Sequence, residues 1–196
     1  MRDSGGPLVV AASQVENILD VDALVEALRN AFRRGAVVPV RHHHTMDVPG
    51  AADATLLLMP AWQPGRYAGI KIVTVFPSNG ERGLPSVMGS YVLISARDGK
   101  PLALMDGGML TLKRTAAASA LAAKYLSRPD ASRLAMIGTG ALAPHLILAH
   151  ASVRPIAELV VWGRDRDKAE RLARNFDGRR LKARAAASLE EAVGWA

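Results

Sequence analysis

The chain has 196 residues, of which 49% are apolar and 22% charged, a balance typical of a folded globular protein rather than a disordered one. Its formal net charge is +7, but it has only three each of Phe, Tyr and Trp. Because the basic residues alternate with acidic ones and few aromatic rings are present for base stacking, we expect no nucleic-acid partner. The absence of cysteine excludes disulfides and thiolate ligands.

The sequence shows no pattern typical of a signal peptide or a membrane span. The apolar stretch Leu8–Ala12 is too short for the core of a signal peptide. No segment approaches the ~20 apolar residues that a membrane span requires. These features predict a cytoplasmic protein with no membrane partner.

The first half of the chain combines one helix with several strands. Asp20 is placed to cap a helix with a regular apolar face, and Gly35 ends it. The segment after Val37 is expected to be extended up to the three histidines. Three apolar segments then have the composition of β-strands. Asp98-Gly99 predicts a hairpin turn between the last of them and a fourth strand. Because the connections are short, we predict an antiparallel sheet in an α+β domain spanning residues 1–128.

The second half begins with an Ala-rich helix that is predicted to end near Ser127, shortly before Pro129, and the order of elements changes after it. Strand, helix, strand and helix then alternate, with a weaker third strand near Lys182–Ala186. Ser188 and Glu191 have the spacing of a capping box for a last helix. This alternation is typical of βαβ units, so we predict a parallel sheet in an α/β domain spanning residues 129–196.

The most specific motif is a G-x-G-x-x-A fingerprint, Gly138 to Ala143, between the predicted strand Arg133–Ile137 and a predicted helix. Gly138 permits the tight turn, and Ala143 lets helix and strand pack closely. Gly140 would let the backbone approach a pyrophosphate at the helix N-terminus. The alternative is a plain glycine turn of an α/β protein. The motif predicts cofactor contacts from the residues Gly138, Thr139, Gly140, Ala141 and Leu142.

The end of the second strand bears on the choice of cofactor. NAD enzymes usually place an acid there to bond the ribose 2′-hydroxyl, but this chain has Gly163 followed by Arg164. An arginine pairs with a 2′-phosphate, so the pattern favours NADP(H) over NAD(H). Alternatively, Arg164 is solvated and Asp165, chiefly a helix cap, also serves the ribose.

Other polar residues stand out by position. His42, His43 and His44 are adjacent, so at most two share a face of a strand, and no carboxylate lies at a ligand spacing. We therefore predict no metal site. Lys71 sits within an apolar strand, where a cation must reach solvent, a partner or a ligand. Snorkelling of Lys71 is the alternative.

These motifs resemble the ornithine cyclodeaminase/mu-crystallin family over about Arg41 to Ala173. The resemblance rests on Arg41-His42-His43-His44, Gly69-Ile70-Lys71, the Pro77–Ser86 loop, the run DGKPLALMDGGMLTLKRTAAASALAAKYL and GTGALAPH. It implies an α+β substrate and dimerisation domain joined to a Rossmann domain, in a homodimer. It also implies that Arg41, Lys71 and Arg114 bind the substrate carboxylate, with Ser86 near the nicotinamide.

The resemblance implies an NAD(P)H-dependent reductase of a cyclic imino acid, Δ1-pyrroline-2-carboxylate or piperideine-2-carboxylate. Its alternatives are an ornithine cyclodeaminase with tightly bound NAD and a non-catalytic binder of NADPH and a small ligand. The chain holds about three strands of the nucleotide fold, so the Rossmann domain is expected to be incomplete. The family's catalytic aspartate is expected to lie beyond Ala196, which leaves the catalytic residue unassigned.

Overall fold

The computed structural model describes residues 6–178 and 181–196. By packing, the chain divides into two compact units. The first holds the residues up to Leu19 together with Asn30–Thr111, and the second holds Asp20–Arg29 together with Leu112–Ala196. This division falls earlier than the predicted boundary at residue 128, because most of the Ala-rich helix packs with the second unit.

The first unit is built on a six-stranded sheet in the order β1-β6-β5-β4-β3-β2. Its strands are β1 (Leu8–Val10), β2 (His42–Met46), β3 (Ala54–Gln63), β4 (Tyr67–Val75), β5 (Val87–Ser95) and β6 (Pro101–Asp106). The pairs from β2 to β6 are antiparallel, as the short connections predict. The Asp98-Gly99 hairpin is confirmed, with Gly99 at a φ of 76°.

Three short elements of this unit have no counterpart in the predicted ones. The strand β1 pairs with β6 in parallel, with Val9 opposite Leu104, and a helix α1 (Ala12–Ile18) follows it. A 3₁₀ helix (Pro77–Arg82) occupies the loop between β4 and β5. A three-residue edge strand is too short to show an alternation, so only its partner reveals it.

The helix α2 (Val21–Arg34) begins at the predicted cap. The Asp20 carboxylate accepts a hydrogen bond from the Ala23 N–H at 3.0 Å, and Gly35 follows the helix with a φ of 74°. The first turns of α2 belong to the second unit. There Val25 is buried against the small side chains of Ala116, Ala117 and Ala120.

Those alanines lie on α3 (Gly107–Leu126). The Asp106 carboxylate caps its first turn, accepting from the Met109 N–H at 2.6 Å. The helix starts against the sheet so closely that a β-carbon at Gly107 would lie 2.7 Å from the Gly89 carbonyl carbon. The sequence Asp-Gly-Gly therefore caps the helix and lets it approach the backbone of β5.

The second unit contains the predicted parallel sheet, with its strands in the order β7-β8-β9. Its elements after α3 are β7 (Arg133–Ile137), α4 (Ala143–Val153), β8 (Glu158–Trp162), α5 (Arg166–Arg174), β9 (Lys182–Ala185) and α6 (Leu189–Trp195). Leu159 and Val161 pack with α4 and α5, whereas Val160 packs with Ala192 of α6. The central strand is thus buried on both faces, as in other doubly wound sheets.

The end of α3 is held by one arginine of the following βαβ unit. Arg154 follows α4 and is half-buried. Its Nε donates to the Ser127 hydroxyl at 2.9 Å, and its Nη2 donates to the carbonyls of Ala123, Lys124 and Ser127 at 2.8 to 3.0 Å. A planar guanidinium thus satisfies several of the carbonyls that a helix leaves unpaired at its end.

Replacing Arg154 by alanine should lower the free energy of unfolding by about 2–3 kcal/mol, because the charged donor to these carbonyls is lost. Arg154→Lys should recover only part of it, since a single ammonium cannot span the same acceptors. Urea denaturation measures both effects. The exposed neighbour Arg128→Ala is the control and should change stability by less than about 0.5 kcal/mol; an equal loss in both alanine variants would contradict this role.

Candidate functional site

The loop after β7 is shaped by backbone geometry. Gly138 has a φ of 110°, which a side chain rarely tolerates. Its N–H donates to the Trp162 carbonyl at 2.7 Å, joining the loop to the end of the neighbouring strand. Ala143, at the start of α4, is buried at 2% exposure. The roles predicted for Gly138 as a turn and for Ala143 as a packing residue both follow from this geometry.

Gly140 differs from Gly138 in a way that bears on binding. Its φ is not positive, and a β-carbon at this position would meet no atom within 4 Å among the described residues. The fold itself therefore does not require glycine here. The lack of a side chain instead leaves the loop backbone open to an approaching molecule, which is the fit that a pyrophosphate needs.

An open groove of about 590 Å³ lies where β7 and β8 end. The residues that line it are Ile137, Gly138, Thr139, Gly140, Trp162, Gly163, Arg164, Asp165 and Lys168. Five of the seven residues predicted to contact a cofactor are thus brought together. In parallel sheets the ends of the strands are where such ligands bind.

The other two predicted contacts, Ala141 and Leu142, do not line this groove. Leu142 packs against the cluster formed by α2, α3 and α4, and Ala141 is exposed. Their side chains contribute to packing or to the surface. Any part they have in binding would come from the backbone at the start of α4.

Asp165 begins α5, and its carboxylate is already engaged. It accepts from the Lys168 N–H at 3.0 Å, and its second oxygen lies 3.5 Å from the Lys168 ammonium. The hydrogen bond from the Lys168 backbone, assisted by the cation, holds the pKa of Asp165 below its ordinary value. Arg164 is exposed beside it.

Three of the predicted substrate residues, Arg41, Lys71 and Ser86, lie in the first unit. Lys71 is in the middle of β4, half-buried, with Met59 opposite on β3 and Tyr91 opposite on β5. Arg41 immediately precedes β2, in which His42 pairs with Leu58. Arg41 thus adjoins the start of β2, and β2 lies two strands away from β4, which carries Lys71.

Ser86 and Arg114 lie on different elements. Ser86 follows the 3₁₀ loop, and its carbonyl accepts from the Phe76 N–H at 2.8 Å. The Asn79 side-chain amide donates to the Pro85 carbonyl at 2.9 Å, which further fixes this loop. Arg114 belongs to the second unit, where it is exposed on α3.

Sequence reasoning missed the contact between Tyr91 and Gly69. A β-carbon at Gly69 would lie 1.8 Å from the Tyr91 hydroxyl oxygen, so the phenol ring covers the bare backbone of β4. Burial raises the pKa of Tyr91, which keeps its hydroxyl protonated. The available signal was a glycine inside an apolar strand, which often marks a close approach.

Gly69→Ala should cost about 1–3 kcal/mol of stability, because the added methyl overlaps the Tyr91 ring. In a Tyr91→Val background the same change should be neutral or stabilising, since the ring is gone and alanine suits a strand better than glycine. Denaturant midpoints of the four variants form the test. Gly80→Ala, at a site with open space, is the matched control, and an unchanged cost in the Tyr91→Val background would refute the contact.

The three histidines lie on β2. The rings of His42 and His44 share a face, as alternation predicts, with centroids 6.2 Å apart in an edge-to-face arrangement. Within the described residues, no group of three or more His, Asp or Glu side chains is placed to hold a metal ion. In the same part of the chain, no helix is both long and apolar enough to cross a membrane.

A βαβ unit with this fingerprint and a groove at its strand ends is a Rossmann-type dinucleotide-binding fold. The first unit adds a six-stranded sheet that is antiparallel from β2 to β6, as predicted, and gains β1 as a parallel strand. The chain belongs to the ornithine cyclodeaminase/mu-crystallin family, whose model matches residues 6–196. The resemblance drawn from the sequence motifs is therefore confirmed.

Individual relatives agree with this assignment. The Δ1-pyrroline-2-carboxylate reductase of Colwellia psychrerythraea is 35% identical over 170 residues, which cover 86% of this chain and 54% of that protein. The structure of the Thermococcus litoralis Δ1-pyrroline-2-carboxylate reductase in complex with NADH and L-proline matches with a TM-score of 0.83 and 30% identity, covering 94% of this chain and 58% of the other.

An archaeal alanine dehydrogenase dimer with bound NAD also matches with a TM-score of 0.83, at 32% identity, covering 95% of this chain and 57% of the other. The chain spans about half the length of the curated relatives it matches. The likeness therefore covers both compact units of this chain and about half of each relative.

Proposed function

We propose that this chain is the substrate- and cofactor-binding part of an NAD(P)H-dependent reductase that converts a cyclic imino acid, Δ1-pyrroline-2-carboxylate or piperideine-2-carboxylate, to the cyclic amino acid. The observation that carries the proposal is Gly140, whose bare backbone the fold does not require and which opens onto the groove. The reductases among its relatives support the choice of substrate class.

In this proposal the loop Gly138–Leu142 holds the pyrophosphate, through backbone N–H groups at the start of α4. Arg164 and Asp165 lie where the adenosine ribose is bound in such folds. A nicotinamide cofactor, when bound, supplies the hydride that reduces a C=N bond. The exposed Arg164 supports a preference for NADP(H) over NAD(H), because it can pair with a 2′-phosphate.

The substrate carboxylate is proposed to be bound by Arg41, Lys71 and Arg114, with Ser86 near the nicotinamide. Arg41 immediately before β2 and Lys71 on β4 belong to the region of one sheet, which supports a common role for the first two. Positively charged donors orient a carboxylate, and orientation of the reacting carbon contributes much of the rate of such reactions. We further propose a homodimer and a cytoplasmic location.

The decisive experiment follows NADPH oxidation with Δ1-pyrroline-2-carboxylate, beside ammonia release from ornithine and calorimetric titration with NADPH and NADH. Imine-dependent oxidation supports the reductase. Ammonia release without net NADPH oxidation would instead identify a cyclodeaminase that recycles its cofactor. Cofactor binding with neither reaction would identify a binding protein, and absence of cofactor binding would overturn the proposal.

Gly140→Asp should abolish NADPH binding without unfolding the chain. The carboxylate would occupy the pyrophosphate position and repel the phosphates, yet a β-carbon at Gly140 meets no described atom within 4 Å. Titration calorimetry measures the binding and circular dichroism the fold. Gly194→Asp adds the same charge to the same unit at another open position and should bind normally; unchanged affinity in Gly140→Asp would contradict the fingerprint.

Arg114→Ala should reduce kcat/KM for the imino acid by the equivalent of roughly 2–5 kcal/mol, because the substrate carboxylate loses one of its proposed cationic partners. Arg114→Lys should recover part of the loss, since the planar two-pronged donor is still missing. NADPH affinity should not change. Arg128→Ala is the control for removal of an exposed arginine, and an Arg114 variant with normal kinetics would remove this residue from the site.

A further inference from the structure

The position directly after β8, where an NAD enzyme usually carries an acid, is packed closely against Thr139. A β-carbon at Gly163 would lie 2.8 Å from Cγ2 and 3.3 Å from Oγ1 of Thr139. Thr139 belongs to the fingerprint loop, so the two loops of the groove pack against each other at this point. An aspartate at residue 163 would require the Thr139 side chain to move.

Asp165 is then the carboxylate that remains among the described residues lining the groove. Both of its oxygens face Lys168, one toward the backbone N–H at 3.0 Å and one toward the ammonium at 3.5 Å. A carboxylate held in this way still has free lone pairs, but its negative charge is balanced by the Lys168 ammonium.

The groove also carries two cations. Arg164 forms no ion pair within the described part of the chain, and Lys168 lines the same groove from the first turn of α5. With Asp165 they leave one net positive charge, next to the N-terminus of a nine-residue helix. A phosphate monoester carries about −1.5 to −2 charges near neutral pH, so this end of the groove is complementary to a phosphate.

We propose that Lys168 determines cofactor selectivity: it neutralises Asp165 and acts with Arg164 as the second cation for the 2′-phosphate of NADP(H). This inference rests on the proposed function, because it assumes that the groove binds a nicotinamide dinucleotide. Without the Lys168 ammonium, the Asp165 charge faces the 2′-phosphate and repels it. The same loss frees the Asp165 carboxylate to accept from the 2′-hydroxyl of NADH.

The test compares dissociation constants for NADPH and NADH in three forms of the chain: the unaltered chain, Lys168→Gln and Arg174→Gln. Arg174 lies near the end of the same helix and contacts Glu170 at 4.0 Å, so it controls for loss of a positive charge on α5. In Lys168→Gln we expect NADPH to bind about tenfold more weakly, the effect of one charge-assisted hydrogen bond. NADH should bind as well as before or better, and Arg174→Gln should change neither constant.

Asp165→Asn separates the charge from the helix cap. Asparagine caps helices about as well as aspartate, so α5 should persist while the negative charge disappears. NADPH should then bind more tightly relative to NADH. Lys168→Gln lowering both affinities equally, or an unchanged ratio in both variants, would overturn the inference while leaving the proposed function intact. If the unaltered chain bound neither dinucleotide, the proposed function itself would fail, and this inference with it.

Discussion

The contact between the loops that follow β7 and β8 is the constraint on which the groove depends. Two neighbouring parallel strands end together, and Gly138 donates to the Trp162 carbonyl at 2.7 Å across that edge. One residue further on, the side chain of Thr139 fills the space that a side chain at Gly163 would need. Because the loops are held at this distance, both of them line one groove together with Lys168 of α5.

The glycines of this chain differ in the physical reason for the lack of a side chain. Gly138 is required by its backbone angle, with a φ of 110°. A β-carbon at Gly107 would strike backbone atoms of β5, and one at Gly69 or Gly163 would strike a neighbouring side chain. Gly140 is required by neither, and unlike Gly80 and Gly194, which are equally open, it lines the groove. Its bare backbone, at the start of a helix and open to the groove, is the feature on which the proposed cofactor binding rests.

The basic residues behind the excess positive charge can be sorted in the same way, by the contacts that each one makes. A net charge of +7 alone could indicate many partners. The structure shows that several cations have structural tasks, such as Arg154 at the end of α3 and Lys124 paired with Glu26 at 3.0 Å. Arg164 and Lys168 differ from these because they line the groove, where a phosphorylated molecule would use their charge.

The sequence by itself determined the order of the main elements, the fingerprint and the family, because apolar periodicity, caps and glycine spacing are local properties of the chain. It did not reveal β1, since a three-residue edge strand is defined only by its parallel partner β6. The sequence also did not predict where the two compact units divide. The small side chains of α3 can pack against many partners, so their pattern does not identify the helix that covers them. Tertiary structure alone decided that Tyr91 covers Gly69, that Thr139 fills the space beside Gly163, and that Leu142 packs inward. These are contacts between residues distant in sequence, or directions of side chains, and neither is encoded in the pattern of a single segment.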